Sequence, residues 1–411
     1  MIQATRYNRL RSLLSGIIYM LGILGIVASG GGGGGDVIPA FTLYSGITIA
    51  DLNDDSRLDL VTSNIYIDDS PPHPSHVSVS LQRSATPGVF EDAVDYPVGA
   101  DAQFVVAGDL NDDGFTDLLA TNYNDDSVSI LMQSAAGNGV FLPEKIYPVA
   151  RHPDGSVPAD VDGDGLNDIV TTGWHLAILL NTPGNAGTFI VGTTIDTGTY
   201  LPSVDAGDID GDGRIDLVTT DITNGTVLVL LQDAAPAPPG NYSSRTAYAA
   251  GDQPVSLELA DVDGDLKLDL VVADLGTPSD PDTANVAVLI QSHDPLARGE
   301  FLPAVEYATG ARSQDVAVGD LNHDNLADIA VANAGRLDDT GSISILIRGG
   351  TPGVFLKADN IAGKSQPLAL AIGDIDDDGY NDIAVADNGA AVLFQDSSKP
   401  GSFLPAVLID P

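Results

Sequence analysis

One nine-residue pattern recurs seven times along the chain: DLNDDSRLD from Asp51, DLNDDGFTD from Asp109, DVDGDGLND from Asp160, DIDGDGRID from Asp208, DVDGDLKLD from Asp261, DLNHDNLAD from Asp320 and DIDDDGYND from Asp374. Successive copies start 58, 51, 48, 53, 59 and 54 residues apart. The shared form is D-h-[DN]-x-D-x-x-x-D, with h apolar. A near-constant period of this length marks a chain assembled from one small supersecondary unit, which must stack on its neighbours to bury its apolar faces.

Each copy sits between apolar segments such as QFVVAG before the second and LLATN after it, and a third segment follows: VSVSLQ, VSILMQ, LAILLN, VLVLLQ, VAVLIQ, ISILIR, AAVLFQ. These runs are short, rich in Val, Ile and Leu, and bounded by Gly, Asn, Asp and Thr, which predicts strands. None is long enough for a convincing amphipathic helix. A weaker fourth segment opens on an aromatic, as in GVFEDAVDYPVG and GNYSSRTAYAAG. Four strands per period predict an all-β, seven-bladed propeller of four-stranded blades over residues 36–411. Several strands are apolar on both faces, as a blade wedged between two others requires. The closing GSFLPAVLIDP and the early VIPAFTLYSG both read as outer strands, so the ring is expected to close by pairing the two chain ends.

Four carboxylates in nine residues repel one another, so the folded loop calls for a compensating cation or strongly shifted protonation. Oxygen-only donors select a hard ion, calcium ahead of magnesium when flexible carboxylates and a carbonyl wrap it. Positions 1, 3, 5 and 9 offer side chains: Asp51, Asn53, Asp55 and Asp59; Asp109, Asn111, Asp113 and Asp117; Asp160, Asp162, Asp164 and Asp168; Asp208, Asp210, Asp212 and Asp216; Asp261, Asp263, Asp265 and Asp269; Asp320, Asn322, Asp324 and Asp328; Asp374, Asp376, Asp378 and Asp382. Position 7 offers its carbonyl, which leaves its side chain free to be Arg57, Phe115, Leu166, Arg214, Lys267, Leu326 or Tyr380. An EF-hand needs glutamate at position 12 and flanking helices. Here position 12 is Thr62, Ala120, Thr171, Thr219, Val272, Val331 or Val385. A plain acidic turn would scatter its charges, whereas positions 1, 5 and 9 are aspartate in every copy.

The loops and their period resemble the FG-GAP or VCBS repeat family, whose best-known members are the integrin α-subunit propellers. The resemblance covers about residues 36–411 and implies a calcium site joining two strands of each blade, up to seven structural ions in all. The third, fourth and seventh copies match the family loop cleanly, and the second differs by Asn111. The family's glycine at position 6 is replaced by Ser56, Leu266 and Asn325 in the first, fifth and sixth copies. A left-handed turn there tolerates asparagine and resists leucine, so the fifth loop is expected to bind most weakly or to be distorted.

The formal net charge of −41 argues against nucleic acid and anionic membrane surfaces and towards cations. Arg6, Arg9 and Arg11 precede the apolar run SGIIYMLGILGIVA, which predicts an export signal over residues 1–29 cleaved after Ser29, with an uncleaved anchor as the alternative; a glycine linker follows at 30–35. Ile26 to Ser29 resembles a lipobox, but the chain has no cysteine to lipidate, and it has none for disulfides. A monomeric secreted or surface-exposed protein is expected, in a medium where calcium is plentiful.

The loops on the face opposite the aspartates vary in length, and uneven loops on a repeated frame are where recognition resides. Tyr66, Tyr123 and Trp174 fall in or beside them, either to stack on a ligand or to pack on loop stems. His73 and His76, near Asp68 and Asp69, read as transition-metal donors or as solvated loop residues. With no G-x-S-x-G, no H-E-x-x-H, no cysteine and six histidines, the chain is expected not to be an enzyme. The expected role is an adhesion-like interaction module for a protein or glycan, with a carbohydrate-active enzyme and a structural surface protein as alternatives. A paired carboxylate in a deep channel would favour chemistry.

Overall fold

The computed structural model describes residues 41–67, 75–149, 151–234, 240–336, 340–362, 366–387 and 389–409. The expected signal and glycine linker lie outside the described residues, as do Asp68, Asp69, His73 and the side chain of Tyr66. The described residues form 28 strands, β1 to β28 in chain order, in seven four-stranded antiparallel sheets, so the expected seven-bladed propeller is the fold. The first blade holds β1 (Phe41–Ala50), β2 (Asp59–Ile67), β3 (Ser75–Ser80) and β4 (Val94–Val98), paired in that order.

The first strands of the other blades are β5 (Ala102–Gly108), β9 (Ser156–Ala159), β13 (Val204–Gly207), β17 (Pro254–Ala260), β21 (Ser313–Gly319) and β25 (Ala369–Gly373). Each packs against the first strand of the next blade, and β25 packs back against β1, so these seven line the central channel. Seven apolar clusters fill the spaces between adjacent blades. This is why second strands such as Asp117–Asn122 and Asp328–Asn333 are buried at every position. The aromatic of the fourth segment belongs to the same packing: Phe141, Phe189, Phe301 and Phe355 meet Tyr96, Tyr147, Tyr248 and Tyr307 of the preceding blade edge-on at 5.4–5.7 Å.

The expected ring closure is corrected. Phe41–Ala50 is the innermost strand of the first blade, and the last strand, β28 (Val407–Ile409), is the outermost of the seventh. Each blade is therefore made from consecutive chain, and the ring closes by packing Ile47 and Leu60 against Ala384, Val392 and Ile409. Polar ties seal the joint. The Gln82 side chain donates to the Ile375 carbonyl at 2.7 Å, and Arg57 pairs with Asp377 at 3.2 Å.

Candidate functional site

The aspartate loops join the first strand of each blade to the second, so all seven crowd one rim. Position 2 anchors each loop: Leu52, Leu110, Val161, Ile209, Val262, Leu321 and Ile375 are all at most 3% exposed. Position 1 shapes the turn by accepting backbone donors, as when Asp208 takes the N–H of Asp212 and of Gly213, both at 2.9 Å. In the third, fourth, fifth and seventh loops, positions 1, 3 and 9 bring carboxylate oxygens within 4.8 Å of one another: Asp160, Asp162 and Asp168; Asp208, Asp210 and Asp216; Asp261, Asp263 and Asp269; Asp374, Asp376 and Asp382. The first, second and sixth loops carry Asn53, Asn111 and Asn322 at position 3. Two position-3 oxygens, Asp376 Oδ1 and Asn322 Oδ1, are buried with no hydrogen-bond donor. Buried acceptors without donors, beside converging carboxylates, are the donor set a hard cation takes.

Position 9 does more than face an ion. Asp216 Oδ2 accepts from Ile209 N at 3.0 Å and its Oδ1 from Gln232 N at 2.7 Å, and the same pair of bonds recurs at Asp59, Asp117, Asp168, Asp269, Asp328 and Asp382. These carboxylates tie the loop to the end of the third strand. Burial, opposed by those bonds and reinforced by neighbouring aspartates, raises Asp59, Asp117, Asp168, Asp269 and Asp328 to about 6 and Asp382 to about 7; it raises Asp216 as well. A partner absent from the sequence-based account completes the tie. The amide of Gln82, Asn181, Gln232 or Gln291 donates both within its own blade and to the position-2 carbonyl of the preceding loop.

The fifth loop is not distorted. Leu266 takes φ +68°, the same left-handed region as Ser56, Asn325 and the glycines of the other copies, and its N–H reaches Asp261 Oδ2 at 2.8 Å. Its side chain is 93% exposed, so the departure from glycine strains the backbone without blocking the loop. Position 4 is left-handed in every copy too, at Asp54, Asp112, Gly163, Gly211, Gly264, His323 and Asp377.

The channel opens on the opposite face, beside the variable loops, in a cavity of about 150 Å³ lined from all seven blades. The residue six before each loop's first aspartate contributes: Ser45, Gln103, Asp154, Pro202, Val255, Gln314 and Leu368. At Ser45, Gln103, Val255 and Gln314 the inner strand carries an extra, unpaired residue, a bulge that turns the backbone at the channel wall. Carboxylates link successive blades along this wall. Asp205 accepts from Leu259 N at 2.9 Å, Glu258 from Val318 N at 3.0 Å, and Asp315 from Leu370 N at 2.9 Å and Ser256 Oγ at 2.6 Å.

Tyr200 donates to Asp154 at 2.7 Å. Burial raises all four channel carboxyls, Asp154 to about 6 and Glu258 to about 8, the latter also through the charges of Asp205 and Asp315. Asp154 and Asp315 line the cavity, and Asp205 and Glu258 are half-buried further along the inner strands. Burial, reinforced by the charges of Asp205 and Asp315, thus favours the neutral form of the Glu258 carboxyl. These groups come one per blade from strands far apart in sequence, so no motif announced them. Of the aromatics expected near this face, Tyr123 is buried in a packed cluster with Tyr200, whereas Trp174 is 37% exposed, edge-on to Tyr200 at 5.6 Å and with the Arg151 guanidinium 5.8 Å from its ring.

Fold and loops together define a seven-bladed propeller with an aspartate-rich loop in each blade. An FG-GAP-like repeat model matches residues 109–171, 160–219 and 320–385, and the chain carries FG-GAP-like repeats, as the sequence resemblance implied. A search of curated proteins finds no match. Solved structures share the fold. A protein of Bacteroides fragilis NCTC 9343 described as a "putative 6-phosphogluconolactonase" is 13% identical, with 80% of this chain and 87% of that one covered at a TM-score of 0.58. One of Bacteroides uniformis ATCC 8492 with the same description is 12% identical, with 78% and 86% covered at 0.56. A protein of Lactobacillus plantarum is 13% identical, with 84% and 95% covered at 0.55. The expectation that the chain is not an enzyme is corrected by these neighbours. The fold includes propellers described as enzymes, so the missing hydrolase motifs exclude nothing, while identities this low carry over the fold alone. Among the described residues no helix is long and apolar enough to cross a membrane.

Proposed function

We propose that this is an exported, calcium-stabilised propeller whose variable-loop face binds a glycan or protein ligand. The observation that carries the calcium reading is the convergence of positions 1, 3 and 9 on one rim, with donor-less buried oxygens at Asp376 and Asn322. Up to seven ions, each taking side chains from positions 1, 3, 5 and 9 and the position-7 carbonyl, would replace mutual repulsion by shared coordination. Residues 1–29 act as the export signal in this reading. The mass of the mature exported chain distinguishes cleavage after Ser29 from a retained anchor.

The ligand face in this reading is the channel mouth, with its hydroxyl, amide and carboxyl groups, together with exposed Trp174, which packs edge-on against Tyr200, itself bonded to the cavity-lining Asp154. An aromatic face with surrounding hydrogen-bonding groups suits a sugar, apolar on one side and polar at its edge. A second reading, chemistry on such a ligand, rests on Glu258, whose burial favours its neutral form and which lies on the inner strand three residues beyond the cavity-lining Val255. One experiment addresses both: native mass spectrometry of the full chain with soluble oligosaccharides in calcium. Trp174→Ala is expected to weaken binding at least about tenfold without lowering the melting temperature. Product formation abolished by Glu258→Gln would support the second reading, and a screen with neither complex nor product would sink the glycan assignment.

A further inference from the structure

The fifth loop differs from the other six in its neighbours. His293, in the turn after the strand Asn285–Leu289, places Nε2 at 3.2 Å from Asp263 Oδ2 and 3.4 Å from Asp265 Oδ2, and the three donor atoms all lie within 4.8 Å of one another. The corresponding residues of the other blades are Ser84, Ala135, Pro183, Ala234, Gly350 and Ser397, none of which brings a nitrogen donor to its loop. Asp263 is also well enclosed, at 7% exposure, whereas His293 is 60% exposed and open to an incoming ion.

We propose that the fifth loop holds a transition-metal cation of the zinc class through His293, Asp263 and Asp265, rather than a calcium ion equivalent to the others. Donor spacing supports it. Zinc bound at about 2.0–2.1 Å by nitrogen and oxygen has tetrahedral donor-to-donor edges of about 3.3 Å, which the two His293 contacts at 3.2 and 3.4 Å bracket. Donor chemistry supports it as well: imidazole is a strong ligand for zinc, copper and nickel and adds little for calcium, which takes oxygen.

Two positive groups also face this loop. Lys267 Nζ lies 3.7 Å from Asp265 Oδ2, held by the Ser292 carbonyl at 2.6 Å, and the Arg348 guanidinium donates to the Asp263 carbonyl. Their repulsion opposes every cation alike. The choice between divalent ions is therefore left to the imidazole, which zinc takes and calcium does not favour.

The proposal rests on the reading of the loops as cation sites. It is tested by calorimetric titration of zinc into the full chain in millimolar calcium, with the calcium-dependent rise in melting temperature recorded for each variant. The expected result is one zinc equivalent whose affinity falls at least tenfold in His293→Ala and is unchanged in His175→Ala, which controls for exposed histidine in general. Both variants keep the calcium response. Zinc affinity within twofold of the parent in His293→Ala, or no stoichiometric zinc binding at all, overturns the proposal. Loss of the calcium response in the parent chain would instead strike at the reading of the other loops.

Discussion

Replacing Asp216 by alanine destabilises the propeller by about 2–6 kcal/mol even in EDTA, because it strands the buried N–H groups of Ile209 and Gln232, each costing about 1–3 kcal/mol. Asp212→Ala behaves differently. Asp212 accepts from Arg214 N at 3.0 Å within an exposed turn and pairs with the Arg214 guanidinium, so its loss in EDTA costs less than about 1 kcal/mol. In calcium at ten to a hundred times the dissociation constant, the same variant loses a further increment of about 1–3 kcal/mol, the stabilisation from one bound ion. Denaturant unfolding of both variants in EDTA and in calcium separates the two roles. Equal costs for the two in EDTA would remove the distinction between a carboxylate that ties strands and one that serves an ion.

The second large effect is a reversal of pH dependence by calcium. Six of the position-9 carboxyls are raised in the folded protein to about 6 to 7, against an ordinary 3.8, so folding takes up protons between those limits. A folded-state value raised above the unfolded one adds stability that is present at low pH and lost as pH rises through 6 to 7. Calcium-free protein is therefore expected to melt higher at pH 5 than at pH 7.5. Bound calcium requires the carboxylates ionised, so in saturating calcium acidification releases the ion and the order inverts. Glu258 and Asp154 contribute the same slope in both conditions and cancel from the comparison. Calorimetric scans across this range, with and without calcium, would contradict the account if the two profiles ran parallel.

Blade number, blade composition and the position of every loop were readable because each depends on local pattern repeated at one period. The apolar position 2 and the outer aromatic each serve one blade joint and the aspartate at position 9 ties strands within one blade, so seven copies report them seven times. The error over ring closure has a local cause. VIPAFTLYSG carries the aromatic and small-residue pattern of an outer strand, yet Phe41–Ala50 pairs with Asp59–Ile67 as the innermost strand of the first blade, at the channel.

Position 4 passed as unrestricted because Asp, Gly and His alternate there. Their common property is tolerance of a left-handed backbone, a property of conformation rather than of polarity. The channel carboxylates and His293 were invisible for a further reason. Asp205, Glu258 and Asp315 meet only when the ring brings successive inner strands together, and His293 reaches Asp263 across 30 residues through the fold of one blade.

The most direct test of the central claim is the thermal unfolding of the full chain in EDTA, across a calcium titration and across an equal magnesium series. Six calcium sites at ten to a hundred times their dissociation constants supply on the order of 10 kcal/mol, comparable to the whole stability of an ordinary domain. The account predicts a calcium-selective rise in melting temperature of roughly 10–20 °C for a propeller of this size. An unchanged melting temperature, or an equal rise in magnesium, would contradict it and leave the seven aspartate loops as turns held by their backbone bonds alone.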